Sequence, residues 1–79
     1  MEKETILKEM TGVFRNILDN DHLIIGYDTT AKDVEGWDSL TQIQLTVAIE
    51  KHFKLKFKSY EIYEWKNVGD ICDAVLMHH

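Results

Sequence analysis

The chain has 79 residues, 44% of them hydrophobic and 29% charged, with a formal net charge of −5, no proline and a single cysteine. That length allows one small domain over residues 1–79 and little room for a deep catalytic cleft, which favours a non-catalytic carrier or interaction module over an enzyme. The lone Cys72 excludes an internal disulfide and a cysteine-based metal site, and no apolar run is long enough for a secretory signal or a membrane span, so a reducing, cytoplasmic setting is expected.

Charge is unevenly spread. Residues 19–50 hold Asp19, Asp21, Asp28, Asp33, Glu35, Asp38 and Glu50 against Lys32 alone, and Lys51, Lys54, Lys56 and Lys58 follow with no acid between them. The acidic half predicts partners with basic patches. Nucleic acid is not an expected partner, because phosphate binding needs a larger basic face than one short lysine cluster.

Residues 3–18 predict the first helix, with Ile6, Leu7, Met10, Val13, Phe14, Ile17 and Leu18 at three-and-four spacing on one face and Lys3, Glu4, Lys8, Glu9 and Arg15 on the other. A stripe of this kind is scaffold rather than a cofactor site. Residues 19–37 then form a long connection, expected to be tacked down by Leu23, Ile24, Ile25, Val34 and Trp37. Asp19 and Asp21 suggest a calcium loop, but such a loop needs glycine at its sixth position and glutamate at its twelfth, where this chain has Ile24 and Thr30. Calcium is therefore excluded there.

A second helix is predicted over residues 39–54, with two apolar stripes instead of one: Leu45, Ile49 and Phe53, and nearly opposite them Leu40, Ile43 and Val47. Either both stripes are buried between helices, or the one beginning beside Ser39 is left for a partner. The alternation Lys51-His52-Phe53-Lys54-Leu55-Lys56-Phe57-Lys58 predicts an extended connector with Leu55 and Phe57 inward. Its lysines suit the negative end of the helix dipole, with a basic contact for an acidic partner as the alternative. Ser59 is read as the cap of a short third helix, Tyr60 to Trp65, with Glu61 and Glu64 exposed and Ile62, Tyr63 and Trp65 packing. Asn67 and Asp70 open a fourth helix whose inner face is Val68, Ile71, Cys72, Val75 and Leu76. His78 and His79 are read as inert or as a cloning remnant, and His22 and His52 stand apart from acids at ligand spacing, so no metal site is expected.

The chemistry concentrates at Gly36-Trp37-Asp38-Ser39-Leu40. Asp38 is a favourable N-cap, which puts Ser39 in the first helical turn beside unpaired backbone N–H groups. A phosphate ester formed on that hydroxyl would sit in the favourable field of the helix end. Elsewhere there is no nucleophile with a paired base, no phosphate-cradling glycine loop and no metal cluster in the sequence pattern.

Asp38-Ser39-Leu40 at a helix start, the later Ala48-Ile49-Glu50-x-x-Phe53, and Val68-Gly69-Asp70-Ile71 together resemble the acyl and peptidyl carrier proteins, over about Ile6 to Leu76. The resemblance implies an all-α four-helix bundle with a long loop between helices 1 and 2 and a short third helix. It also implies a stand-alone, monomeric carrier with 4′-phosphopantetheine, taken from coenzyme A by a phosphopantetheinyl transferase, on Ser39, flanked by Asp38 and Leu40. The arm would hold an acyl or aminoacyl thioester for loading and condensing enzymes of fatty acid, polyketide or a related dedicated pathway. Trp37, Leu40, Ile43, Val47 and Glu50 are the expected partner contacts, although Trp37 also suits loop packing. The chain departs from carriers of fatty acid synthesis in having Thr41, Gln42, Gln44 and Thr46 where acids usually follow the serine, which implies dedicated partners chosen by shape and apolar contact. Leu45, Ile49, Ile62, Tyr63 and Ala74 either shelter an acyl chain or pack solidly. The rival reading is a small helical adaptor that binds through Leu40 and Val47, with Ser39 merely opening a helix.

Overall fold

A computed structural model describes residues 2–78. It contains four α-helices: α1 (Lys3–Ile17), α2 (Ser39–Phe53), α3 (Ser59–Glu64) and α4 (Val68–His78), with one 3-10 turn at Ala31–Asp33 inside the long loop. Among the described residues there is no strand, and the fold is the expected all-α four-helix bundle. Helix α1 is its centre, packing against both α2 and α4.

The apolar stripe of α1 explains that position. Ile6, Met10, Val13 and Phe14 are buried, with Leu7, Ile17 and Leu18 half-buried along its edges. They meet Leu45, Ile49 and Phe53 of α2 and Val68, Ile71, Cys72 and Val75 of α4 in one apolar cluster. Leu76, expected on the inner face, is 41% exposed, because at 100° per residue it falls at the edge of the stripe that Val68, Ile71, Cys72 and Val75 bury.

Helices α1 and α2 end in the same way without glycine. Asp19 (φ 51°) and Lys54 (φ 57°) take the left-handed conformation. In consequence the Asn20 N–H reaches Arg15 O at 3.0 Å and the Leu55 N–H reaches Glu50 O at 3.0 Å, six-to-one closures that satisfy otherwise orphaned carbonyls.

The long loop is held by its own polar groups and by α4. Arg15 Nε donates to Leu23 O at 2.7 Å, and Thr30 and Asp33 close a capping box around the 3-10 turn. The first N–H groups of α4 find loop carbonyls: Val68 N–H to Thr29 O (2.9 Å) and Gly69 N–H to Tyr27 O (2.7 Å), while Asp70 N–H donates to Asn67 Oδ1 (2.9 Å). Ile25 and Val34 are buried tacks, and Leu23 and Trp37 are half-buried. Ile24 is not a tack. It is 83% exposed beside the buried Ile25.

Phe57 is buried and Leu55 half-buried on the extended connector, as the alternation predicts. Helix α3 starts at Ser59 itself, with Lys58 extended before it and no side-chain cap, so Ser59 is not a capping residue. With only six residues, α3 turns Ile62 toward the core, as the chain just after it does Trp65, and leaves Tyr63 89% exposed, against the expectation that Tyr63 packs.

Candidate functional site

The approach to α2 is built by three residues in series. Gly36 has φ +90°, a conformation that side-chain-bearing residues rarely adopt, and it turns the chain into the helix. Trp37 then anchors the turn: its ring meets Phe14 edge-on at 5.0 Å, and its Nε1–H donates to Gln42 Oε1 at 2.6 Å. These contacts give Trp37 the packing role that was one of its two expected readings.

Asp38 follows in extended conformation and caps α2. Its Oδ1 accepts from the Leu40 and Thr41 N–H groups, both at 3.0 Å, and its own N–H donates to Thr41 Oγ1 at 2.7 Å. The Thr41 hydroxyl in turn donates to Gly36 O at 2.8 Å, tying the glycine turn to the helix. Hydrogen bonds from the Thr41 and Leu40 N–H groups hold the Asp38 carboxyl below its ordinary value of 3.8.

Ser39 is the first residue of α2 and is exposed. Among the described hydrogen bonds its hydroxyl takes part in none, so the oxygen is open to reaction. The sequence-based picture needs one correction. Two of the N–H groups expected to be unpaired are taken by the Asp38 carboxylate, whose charge already complements the helix dipole. The helix end is therefore a presented hydroxyl and not a vacant anion cradle.

Beyond Ser39 the two stripes of α2 part company. Leu45, Ile49 and Phe53 are buried, while Leu40, Ile43 and Val47 are 66%, 64% and 45% exposed. Burial of both stripes is thus excluded. Glu50, the one acid of the helix, accepts the Phe57 N–H at 2.9 Å and so fastens the connector to α2.

The five residues considered for sheltering an acyl chain do not share a cavity. Leu45 and Ile49 are core residues, whereas Tyr63 and Ala74 line an open groove of about 720 Å³ between α3 and α4. Two histidine contacts escaped the sequence reading: His52 Nε2 lies 2.8 Å from Glu9 Oε1, and His78 Nε2 lies 2.9 Å from Glu61 Oε2. Their partners are 43 and 17 residues away in the chain, beyond any local pattern. Glu61 is accordingly half-buried, and His78 is not inert; His79 lies outside the described residues. Among the described residues no three His, Cys, Asp or Glu side chains gather as metal ligands, and no helix is long and apolar enough to cross a membrane.

A helix-opening serine, exposed beside a capping aspartate on a four-helix bundle, defines a class that the family comparison identifies. Residues 8–75 match the family model described as "Phosphopantetheine attachment site", and the chain belongs to this family of acyl carrier proteins, whose cofactor is covalent 4′-phosphopantetheine. Among solved structures the chain is similar to the holo acyl carrier protein from Geobacter metallireducens, at 38% identity and a TM-score of 0.87, covering 92% of this chain and 84% of that one. A comparison with curated proteins found no match. The residues present fit an ester-linked group, since Ser39 offers an exposed hydroxyl in none of the described hydrogen bonds, at the start of a helix that the Asp38 side chain caps.

Proposed function

We propose that Ser39 carries the 4′-phosphopantetheine arm and that residues 1–79 act as one monomeric, non-catalytic carrier domain in the cytoplasm. The observation that carries this reading is the exposed, unengaged Ser39 hydroxyl in the opening turn of α2, inside the matched segment. A phosphopantetheinyl transferase supplies the arm from coenzyme A. When attached, the arm contributes reach and a terminal thiol that holds an acyl or aminoacyl group as a thioester. The chain's own residues do the rest. Asp38, Thr41 and Gly36 hold the turn rigid, Trp37 pins it to α1, and Leu40, Ile43 and Val47 leave an apolar contact face leading away from the serine. Tethering raises the cargo's concentration at each loading or condensing enzyme of a fatty acid, polyketide or related dedicated pathway.

The chain contains two serines, and both are exposed residues opening a helix. Ser59 differs in that no side chain caps its six-residue helix. Incubation with coenzyme A and a promiscuous phosphopantetheinyl transferase, followed by mass spectrometry, tests the assignment. Wild type and Ser59→Ala are expected to gain the mass of one arm and Ser39→Ala to gain none. An unmodified wild type would instead favour the adaptor reading.

A further inference from the structure

A second exposed apolar surface is built without α2. Tyr60, Tyr63 and Met77 are 60%, 89% and 87% exposed, and they border the groove of about 720 Å³ between α3 and α4. None of the residues lining it belongs to α2 or to the turn at residues 36–39. Helical spacing explains its two walls. On α3, Tyr60, Tyr63 and Glu64 fall three and four residues apart and share one face; on α4, Asp70, Asp73, Ala74 and Met77 repeat the same spacing and form the facing stripe. Four carboxylates line the groove, Glu61, Glu64, Asp70 and Asp73, against Lys66 as its one lysine. Three of the four are engaged: Glu61 by His78 Nε2, Asp73 by Lys3 Nζ at 2.8 Å, and Asp70 by the Lys66 N–H at 2.8 Å. Glu64 is exposed and is in none of the described hydrogen bonds or ion pairs. The groove thus sets an uncommitted carboxylate beside two tyrosine rings, where acids outnumber bases.

That combination selects a cation with a flat, weakly hydrated face. A guanidinium stacks on a tyrosine ring while it donates to a carboxylate through two parallel N–H groups, whereas an ammonium is a compact, strongly hydrated point charge. Across the groove, Ala74 leaves room for an apolar neighbour of that cation, and Met77 adapts its flexible thioether to the neighbour's shape. The six residues of α3 span about 9 Å, enough for about three residues of extended chain. We propose that the groove between α3 and α4 docks a short segment of a partner protein that carries an arginine beside an apolar side chain, with the guanidinium on Tyr63 and Glu64 and the apolar group on Ala74 and Met77. A second copy of this chain does not fit: its one arginine, Arg15, is spent on Leu23 O, and a net charge of −5 sets the copies against each other. Anionic lipid and nucleic acid would meet like charge in the groove. The groove shares no residue with the Ser39 turn, so either assignment can fail without the other.

The test uses the full chain, isotope-labelled, and follows backbone amide shifts on titration with capped peptides. All share the frame glycine-glutamine-leucine-X-leucine-glutamine-glycine, and X is arginine, lysine or glutamate. The arginine peptide is expected to shift the amides of Tyr63, Glu64, Ala74 and Met77 in a saturable way. The lysine peptide should bind several-fold more weakly, and the glutamate peptide should leave these amides in place. Tyr63→Ala and Glu64→Gln should each weaken the arginine peptide about threefold, and the Tyr63→Ala/Glu64→Gln double variant about tenfold. Both side chains are exposed, so circular dichroism should show the helices retained, and the weakened binding then reports the lost contacts. Equal binding of the three peptides, no saturable shift with the arginine peptide, unchanged affinity in the double variant, or shifts centred on Leu40, Ile43 and Val47 would each overturn the proposal. Free arginine amide binding as tightly as the arginine peptide would overturn it too, by making the groove a site for small cations.

Discussion

Asp38 does two things with one carboxylate. It accepts the Leu40 and Thr41 N–H groups and thereby starts α2 at the residue that places Ser39 in the open. Because its folded-state value lies below 3.8, its contribution to stability is present above that pH and is lost as pH falls through the folded value. An NMR titration of the Asp38 carboxyl should therefore give a midpoint below the ordinary aspartate range. Asp38→Asn should retain the helix start, whereas Asp38→Ala should lower the thermal midpoint and fray residues 39–41 in amide exchange. Cys72 shows the opposite case. Burial in the core pushes its thiol up from 9.0 to about 11, so the folded state holds the proton more tightly and stability is lost as pH rises above 9.0. At pH 8 roughly one folded thiol in a thousand is ionised, and a thiol-specific disulfide reagent should react with Cys72 only after denaturant unfolds the chain.

At the scale of elements, three glycines have three different duties. Gly36 makes a turn with positive φ, and Gly69 allows a close approach. A Cβ on Gly69 would lie 2.8 Å from Tyr27 O, at the point where the loop carbonyls cap α4. Gly12 is exposed within α1, and an added Cβ there meets nothing within 4 Å. Gly12→Ala should accordingly stabilise the chain by about 0.8–1 kcal/mol through helix propensity. Gly69→Ala should destabilise it by about 1–3 kcal/mol through overpacking and loss of the loop contact. Chemical denaturation of the two variants beside wild type measures both signs. If Gly69→Ala proves neutral, the loop is not docked on α4 as described.

For the whole molecule, α1 is the element on which α2 and α4 both lean, and Phe14 is its largest fully buried side chain. Phe14 also carries the edge contact with Trp37, so it links the core to the turn that presents Ser39. Phe14→Ala should cost about 3–5 kcal/mol, a large part of what a domain of this size has available. Circular dichroism on heating should show a midpoint lowered by well over ten degrees, at roughly 4–8 °C per kcal/mol. Trp37→Phe removes the hydrogen bond to Gln42 while keeping most of the packing, and should cost much less.

Local pattern alone determined the positions of α1, α2 and α4 to within a residue or two, the scaffold face of α1, the inward turn of Phe57, and the place of Ser39 behind an aspartate cap. Each of these follows from spacing along the chain or from the chemistry of one or two adjacent residues, which a sequence displays directly. Tertiary structure alone decided which apolar stripe of α2 is covered, because that depends on where α1 lies and not on the stripe itself. It also turned Ile24 and Tyr63 outward, gave Glu9 and Glu61 to the two histidines, and brought the Tyr27 and Thr29 carbonyls to the start of α4. Contacts between residues dozens of positions apart are set by the packing of whole helices, and no periodicity records them.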